Sequence, residues 1–353
     1  MSTHVDSGSS AEQLAITLAG SHWCIVSPQC FTEACFSVPA VRALRHHSAE
    51  ASIAILCPRS QVMLWQYGLD ELTSIIEYED GASAKTIATL LEGFSVQFDS
   101  AILWEVGNAA KATTKVGKTG IGQRVGYSVD ELKPFLTDVA GVDLQPGPIQ
   151  HRVRYYLGLV NQLGVDAFVR SSFEKPSLPA AAEQLKIGIA PFSEYGSSYQ
   201  WPAERFLEVV AAIEARYPGV SWMLYDNVSK GAKKNLEVFE ELLKQDNFSL
   251  SDSSGGDVFS SLAQSSALLA CDGELAHVAA HVGLPATVIF GPNAPEWKRP
   301  LGKQSDVVRE HVACSPCFAP KCPLDLRCQR EVSVAAVVNS LEHVIAQRNS
   351  QTG

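Results

Sequence analysis

The chain has 353 residues, more than one ordinary hydrophobic core accommodates, so two domains are the natural expectation. Hydrophobic residues make up 46% and charged residues 19%, a globular composition, and a formal charge of −10 argues against a general nucleic-acid or membrane surface. That leaves room for a local basic patch and for peripheral membrane contact at most. The polar start MSTHVDSGSSAEQ lacks the basic region of a signal peptide, and no run is long and apolar enough to span a bilayer. Nine cysteines, an odd number scattered partly through core-like segments, predict reduced thiols and a cytoplasmic location.

In chain order, Trp23–Val26 reads as a first strand and Glu33 to His46 as a helix. Ser52–Leu56 reads as the second strand, followed by a helical stretch over Val62–Tyr67. Thr73–Tyr78, Ser100–Trp104 and Gln123–Gly126 are further strands, and His151–Leu163 is a helix with Val153, Tyr156, Leu157 and Val160 on one stripe. The two prolines within 173–183 mark a linker, which divides the chain into an N-terminal domain, 1–172, and a C-terminal one, 184–332.

The second unit repeats the alternation. Ile187–Ala190 is a strand feeding the polar loop PFSEYGSSYQ, and Pro202 opens a helix that buries Phe206, Leu207, Val210 and Ile213. Trp222–Tyr225 and Ala232–Lys244 read as the next strand and helix. Ala267–Cys271 and Ala286–Phe290 are apolar runs without alternation, the pattern of parallel strands covered on both faces. Between them Asp272–Gly273–Glu274 turns into a helix whose apolar positions are Leu275, Val278, Ala279 and Val282. A polar loop between a parallel strand and a helix N-terminus is where open α/β sheets bind ligands, often anions. A closing helix is expected over 333–348, apolar at Val334, Val337, Val338, Leu341 and Ile345.

These segments resemble the ADP-heptose lipopolysaccharide heptosyltransferases of glycosyltransferase family nine over nearly the whole length. EACFSVPAVRAL, Glu33 to Leu44, is similar to the family's Gly-Asp-x5-Pro-Ala-x-Arg-x-Leu helix at Pro39, Ala40, Arg42 and Leu44. Arg124–Tyr127, and His151 with Tyr155–Tyr156, resemble its Arg-Ile-Gly-Tyr and His-x3-Arg-Tyr segments. Trp201–Pro202 with Arg205–Phe206 matches part of its Lys-Arg-Trp-Pro-x-x-Arg-Phe. Asp272, His277, Ala279–Ala280, Gly283, Pro285 and Phe290–Pro292 match its Asp-Ser-Gly-x-x-His and Phe-Gly-Pro motifs. The tail Cys314 to Cys328 resembles its cysteine-rich segment.

The resemblance implies a GT-B fold, two Rossmann-like domains facing across a cleft. It also implies a metal-independent, inverting transfer of heptose from a nucleotide diphosphate donor, ADP-heptose in the family, to a lipid-linked or oligosaccharide acceptor of the envelope. No separate cofactor is implied. Such chemistry needs a carboxylate to take the acceptor's proton and fixed donors to stabilise the leaving diphosphate.

Glu33 stands at the family's base position, normally Asp; the alternative is that it only charges the first turn of its helix. Donor contacts are expected from Ser193, Ser197, Ser198, Tyr199, Asp272, Gly273, Glu274 and His277. Two of these depart from the family. Tyr199–Gln200 stand where it has Lys–Arg, which removes the cation that neutralises the donor phosphates. Gly273–Glu274 replace Ser-Gly, placing an anion where a diphosphate would dock; two like charges ~4 Å apart at an effective dielectric near 20 repel by roughly 4 kcal/mol. Lys298 and Arg299 could replace the lost charge but read more simply as solvated surface residues.

Cys314, Cys317, Cys322 and Cys328 lie close enough in sequence for tetrahedral zinc, although a packed cysteine-rich loop is the simpler reading. The competing functional class is a degenerate family member that binds a glycan, nucleotide or partner protein without transfer.

Overall fold

The computed structural model describes residues 16–69, 73–141, 148–174, 184–226, 237–252 and 258–351. Much of the linker, the first residues of the helix expected over Ala232–Lys244, and the N-terminal polar stretch lie outside these ranges.

Two six-stranded parallel sheets carry the chain. The first is built from β1 (His22–Val26), β2 (Ser52–Pro58), β3 (Ser74–Tyr78), β4 (Ser100–Leu103), β5 (Gln123–Tyr127) and β6 (Asp138–Ala140), in the order β3-β2-β1-β4-β5-β6. The second uses β7 (Lys186–Ala190), β8 (Ser221–Asp226), β9 (Phe248–Asp252), β10 (Ala267–Cys271), β11 (Ala286–Phe290) and β12 (Ser305–Arg309), in the order β12-β11-β10-β7-β8-β9. Each is the doubly wound order 3-2-1-4-5-6, whose strand order reverses between its first and fourth strands; ligands bind outside the carboxyl ends there. The edge strands β6, β9 and β12 escaped sequence reading because each is short or only half-buried and so lacks a strong apolar run.

The helices are α1 (Phe31–His47), α2 (Val62–Gly68), α3 (Ala84–Glu92), α4 (Asn108–Thr113), α5 (Val153–Gln162), α6 (Ala203–Arg216), α7 (Glu240–Leu243), α8 (Val258–Ala263), α9 (Glu274–Val282), α10 (Pro295–Lys298), α11 (Arg327–Arg330) and α12 (Val334–Gln351). On α6 the buried face is Phe206, Val209, Val210 and Ile213; Leu207 is only half-buried, a one-position error in the expected stripe. The closing helix α12 packs on α6 and on the second sheet.

Three apolar layers follow. One lies outside the first sheet under α3 and α4, and one outside the second sheet under α6 and α12. The third is shared. Residues of α1, α2 and α5 join residues of α8 and α9 in one continuous cluster, so the two halves meet through core rather than through a wet gap.

One seam contact grows from a single residue of α1. Pro39 has no N–H, so the Cys35 carbonyl four residues earlier loses its helical donor. His281 of α9 supplies the replacement, its Nε2–H donating to that carbonyl at 3.0 Å in a buried setting. Replacing His281 with Phe should therefore leave the carbonyl unsatisfied and cost about 1–3 kcal/mol in urea unfolding. The loss should shrink in a Pro39→Ala background, where the helix provides its own donor. Equal losses in both backgrounds would show that the proline is not the reason for the contact.

Candidate active site

A buried network fixes the turn that delivers Glu33. After β1, Gln61 donates to the carbonyls of Pro28 and Gln29 at 2.8 and 3.0 Å; Ser27 donates to Gln61 at 2.6 Å, and Trp65 donates to Ser27 at 3.1 Å. Glu33 then lies in the first turn of α1 with its side chain 12% exposed. One oxygen, Oε2, accepts from Arg152 Nε and from the Tyr156 hydroxyl, each at 2.7 Å. The other, Oε1, lies 2.9 Å from Nζ of Lys298, which comes from α10 in the opposite half. Burial pushes this carboxyl up, but the charges of Arg152 and Lys298 with the hydrogen bonds outweigh it, so its pKa falls below the ordinary value. Glu33 is thus held as a carboxylate at the seam. Lys298, 16% exposed, is not the solvated surface residue the sequence suggested; Arg299 is exposed.

The second half contributes three loops. Ser193 donates to the Asp272 carbonyl at 2.6 Å, tying the loop after β7 to the end of β10. Asn293, after β11, donates to Asp272 Oδ2 at 2.8 Å. Ser198 donates to the Ala319 carbonyl, so two of the expected donor serines spend their hydroxyls on main-chain oxygens; Ser197 is exposed. Tyr199 is buried with its ring edge-on to Tyr195 at 5.3 Å, and burial followed by the nearby Asp272 charge raises its phenol to about 12. Tyr195 in turn hydrogen-bonds Thr32, the neighbour of Glu33, across the seam. Gln200 is half-buried next to Trp201.

At the start of α9 the chain supplies its own anion. Glu194 Oε2 accepts from the backbone N–H of Glu274 at 3.0 Å, and a Cβ on Gly273 would stand 3.0 Å from that oxygen. This is the seat that helix geometry offers to a phosphate. Sequence reasoning weighed Glu274 as the intruding charge and missed Glu194; the signal was an acid in the loop facing a helix N-terminus. Burial raises the Glu194 carboxyl, and burial followed by the Glu194 charge raises Glu274 to about 8. Asp272, fully buried nearby, is raised to about 7 by burial.

His277 is 1% exposed, edge-on to Phe36 at 5.0 Å, and burial drives its pKa well down, so it is neutral. Asp272 Oδ1, Glu194 Oε1 and His277 Nε2 are buried side-chain atoms with no hydrogen-bond partner among the described residues. Unpartnered polar atoms at a switch point mark a site built for a ligand.

All nine cysteines are free thiols. Cys328 is buried, and burial, then the charges of Cys314, Cys317 and Cys322, raise it to about 11. The zinc alternative finds no support in this geometry: among the described residues, no three His, Cys, Asp or Glu side chains converge in a way that could hold a metal ion.

Paired doubly wound parallel sheets that meet along a shared seam are the GT-B fold. Residues 154–327 match the family model of glycosyltransferase family 9 (heptosyltransferase). Lipopolysaccharide heptosyltransferase 2 of Escherichia coli (strain K12) is 22% identical over 215 residues, which span 54% of this chain and 59% of that relative. The structure of E. coli ADP-heptose LPS heptosyltransferase II shares the fold with a TM-score of 0.71 at 19% identity, covering 93% of this chain and 99% of that one. E. coli heptosyltransferase WaaC with ADP does so with a TM-score of 0.66 at 15% identity, covering 92% and 99%. Over residues 154–327 the chain is thus similar to glycosyltransferase family 9 (heptosyltransferase).

The acid cluster gives a signed prediction. Glu194 and Glu274 have raised pKa values, so between the ordinary carboxylate range and neutrality the folded state binds more protons than the unfolded one, and stability falls as pH rises. Glu33 works oppositely, its contribution being lost as pH falls through its lowered pKa. In a pH series of thermal melts, Glu194→Gln, which keeps an acceptor for the Glu274 N–H, should match the wild type in acid. It should then gain a growing advantage toward pH 8. A constant difference at every pH would mean that the Glu194 and Glu274 carboxyls are not raised in the folded protein.

Proposed function

We propose that the chain is an inverting glycosyltransferase that moves heptose or a related sugar from a nucleotide diphosphate donor to a lipopolysaccharide-core or other envelope glycan acceptor. We place it in the cytoplasm; among the described residues no helix is long and apolar enough to cross a membrane. The observation that carries the reading is the ionised Glu33 at the seam, held by Arg152 and linked to Lys298 from the other half.

In this reading Glu33 takes the proton of the acceptor hydroxyl as its oxygen attacks the anomeric carbon. The bond to the leaving diphosphate breaks on the opposite face, and the electron pair departs with the diphosphate. Lys298 is the cation placed to neutralise that charge, standing in for the family lysine replaced by Tyr199. Arg152 and Tyr156 fix the direction of the carboxylate. The backbone of Gly273 and Glu274 cradles the phosphate once Glu194 has moved or taken a proton, with Asp272 and His277 completing the donor side. The reading needs no bound metal.

Glu194 is also the observation that favours the second reading, a family member that binds a glycan, a nucleotide or a partner protein without transfer. A chain whose own carboxylate fills the phosphate seat discriminates against diphosphates until that charge is removed.

A thermal-shift panel of nucleotides and nucleotide sugars separates the two, since a ligand that binds only the native state raises its melting temperature. Stabilisation by ADP-type ligands, stronger in Glu194→Gln than in the wild type, is the expected result. Glu33→Gln should leave that stabilisation in place while lowering transfer by about 10²–10⁴-fold. Silence from both wild type and Glu194→Gln across the whole panel would discard the transferase reading.

A further inference from the structure

A cavity opens along the seam, with none of Glu33, Asp272 or His277 in its walls. Its volume is about 740 Å³, within the range of small-molecule sites. Both halves build it: Val153 opens α5 and His151 lies just before it, and the rest come from α10, the segment after it, and β12 with the residues beyond. Val153, Leu301 and Val307 give it an apolar floor.

Its charge runs against that of the whole chain. Arg299, Arg309 and His311 line it, and the one carboxylate among the lining residues is Glu296. Glu296 is committed to Arg309 through a two-point contact at 2.6 and 3.2 Å. His151 is fixed as a neutral ring: Nε2–H donates to the Arg299 carbonyl at 2.7 Å, and Nδ1 accepts from the Val153 N–H at 3.2 Å. Burial, and then the Arg299 charge beside it, hold its pKa down. The Arg299 guanidinium and the His311 ring therefore face a pocket whose only acid is already paired, on a protein of formal charge −10.

We propose that this cavity is a binding subsite for an anionic sugar, one carrying a carboxylate or phosphate group. Arg299 binds the anion through paired N–H donors, His311 adds a further donor, and the apolar floor takes the C–H face of the ring. The next residue after His151 is Arg152, which holds Glu33, so the wall of this cavity adjoins in sequence the residue that positions the candidate base. The inference concerns binding and does not depend on the transferase reading.

The test is ligand-observed NMR titration of the full-length chain with glucuronate, glucose 6-phosphate and neutral glucose. Both acids should bind, with glucose at least about tenfold weaker. Arg299→Glu, an exposed position, should weaken the acids by about tenfold or more. Arg154→Glu, also exposed but outside the cavity, should leave them unchanged and so controls for the general field of the protein. Binding of only one acid supports the subsite and identifies its anion. Failure of both acids to bind, equal binding of glucose, no effect of Arg299→Glu, or an equal loss in Arg154→Glu each overturns it.

Discussion

The Glu33 carboxylate is the constraint around which the seam is organised. A nearly buried anion is tolerable only when cations and hydrogen-bond donors surround it, and here those partners come from both halves of the molecule. Arg152 and Tyr156 reach it from α5, which also spaces the apolar face that packs on α1. Lys298 reaches it from α10. Removing any one partner would leave charge unbalanced in a place water hardly enters. The contact thus joins the position of this carboxylate, the closure of the two halves and the supply of a cation.

The opposite wall follows the reverse logic. Around the N-terminus of α9 the chain gathers Glu194, Asp272 and Glu274, with no cation bonded to any of them among the described residues, and Tyr199 nearby is buried. Lys298 acts on Glu194 and Asp272 only at a distance, too weakly to bring either back to the ordinary carboxylate range. The α1 side of the seam thus holds its cations on the Glu33 carboxylate, while the α9 side is lined by acids. A ligand entering between them meets a wall whose charge depends on bound protons.

How much of this was legible in the sequence depends on the distance over which each feature is encoded. The unbroken apolar runs at Ala267–Cys271 and Ala286–Phe290 announced parallel strands covered on both faces, and the intervening polar turn announced a site, because strand and turn are local patterns. Glu33 could be named from its motif, but not the partners that hold it ionised, since Arg152 lies 119 residues away. Lys298 was misjudged for the same reason: in sequence it sits in a short, charged loop, and only the meeting of the halves buries it. Glu194 was passed over within a serine-rich loop because its partner, the Glu274 N–H, belongs to the main chain and leaves no mark in the residue pattern. The serines looked like ligand donors because hydroxyls are; folding had first use of Ser193 and Ser198 as stitches between loops.

The seam itself is graded, and the grading decides where substrates can act. Phe36, Phe259 and Leu275 belong to one apolar cluster shared by both halves, which water cannot enter without exposing hydrocarbon. The Pro39–His281 arrangement adds a buried polar contact within it, specific in direction and costly to leave unmade. Toward α10 the contacts become ionic and aromatic: Lys298 bonded to Glu33 and 4.7 Å from the Trp297 ring, and the Arg152 N–H on the Trp297 carbonyl at 2.8 Å. Charged contacts can be exchanged for those of a charged ligand at little net cost, whereas the apolar ones cannot. The ionic end of the seam is therefore where a charged ligand can enter, and the apolar end keeps the two halves in register.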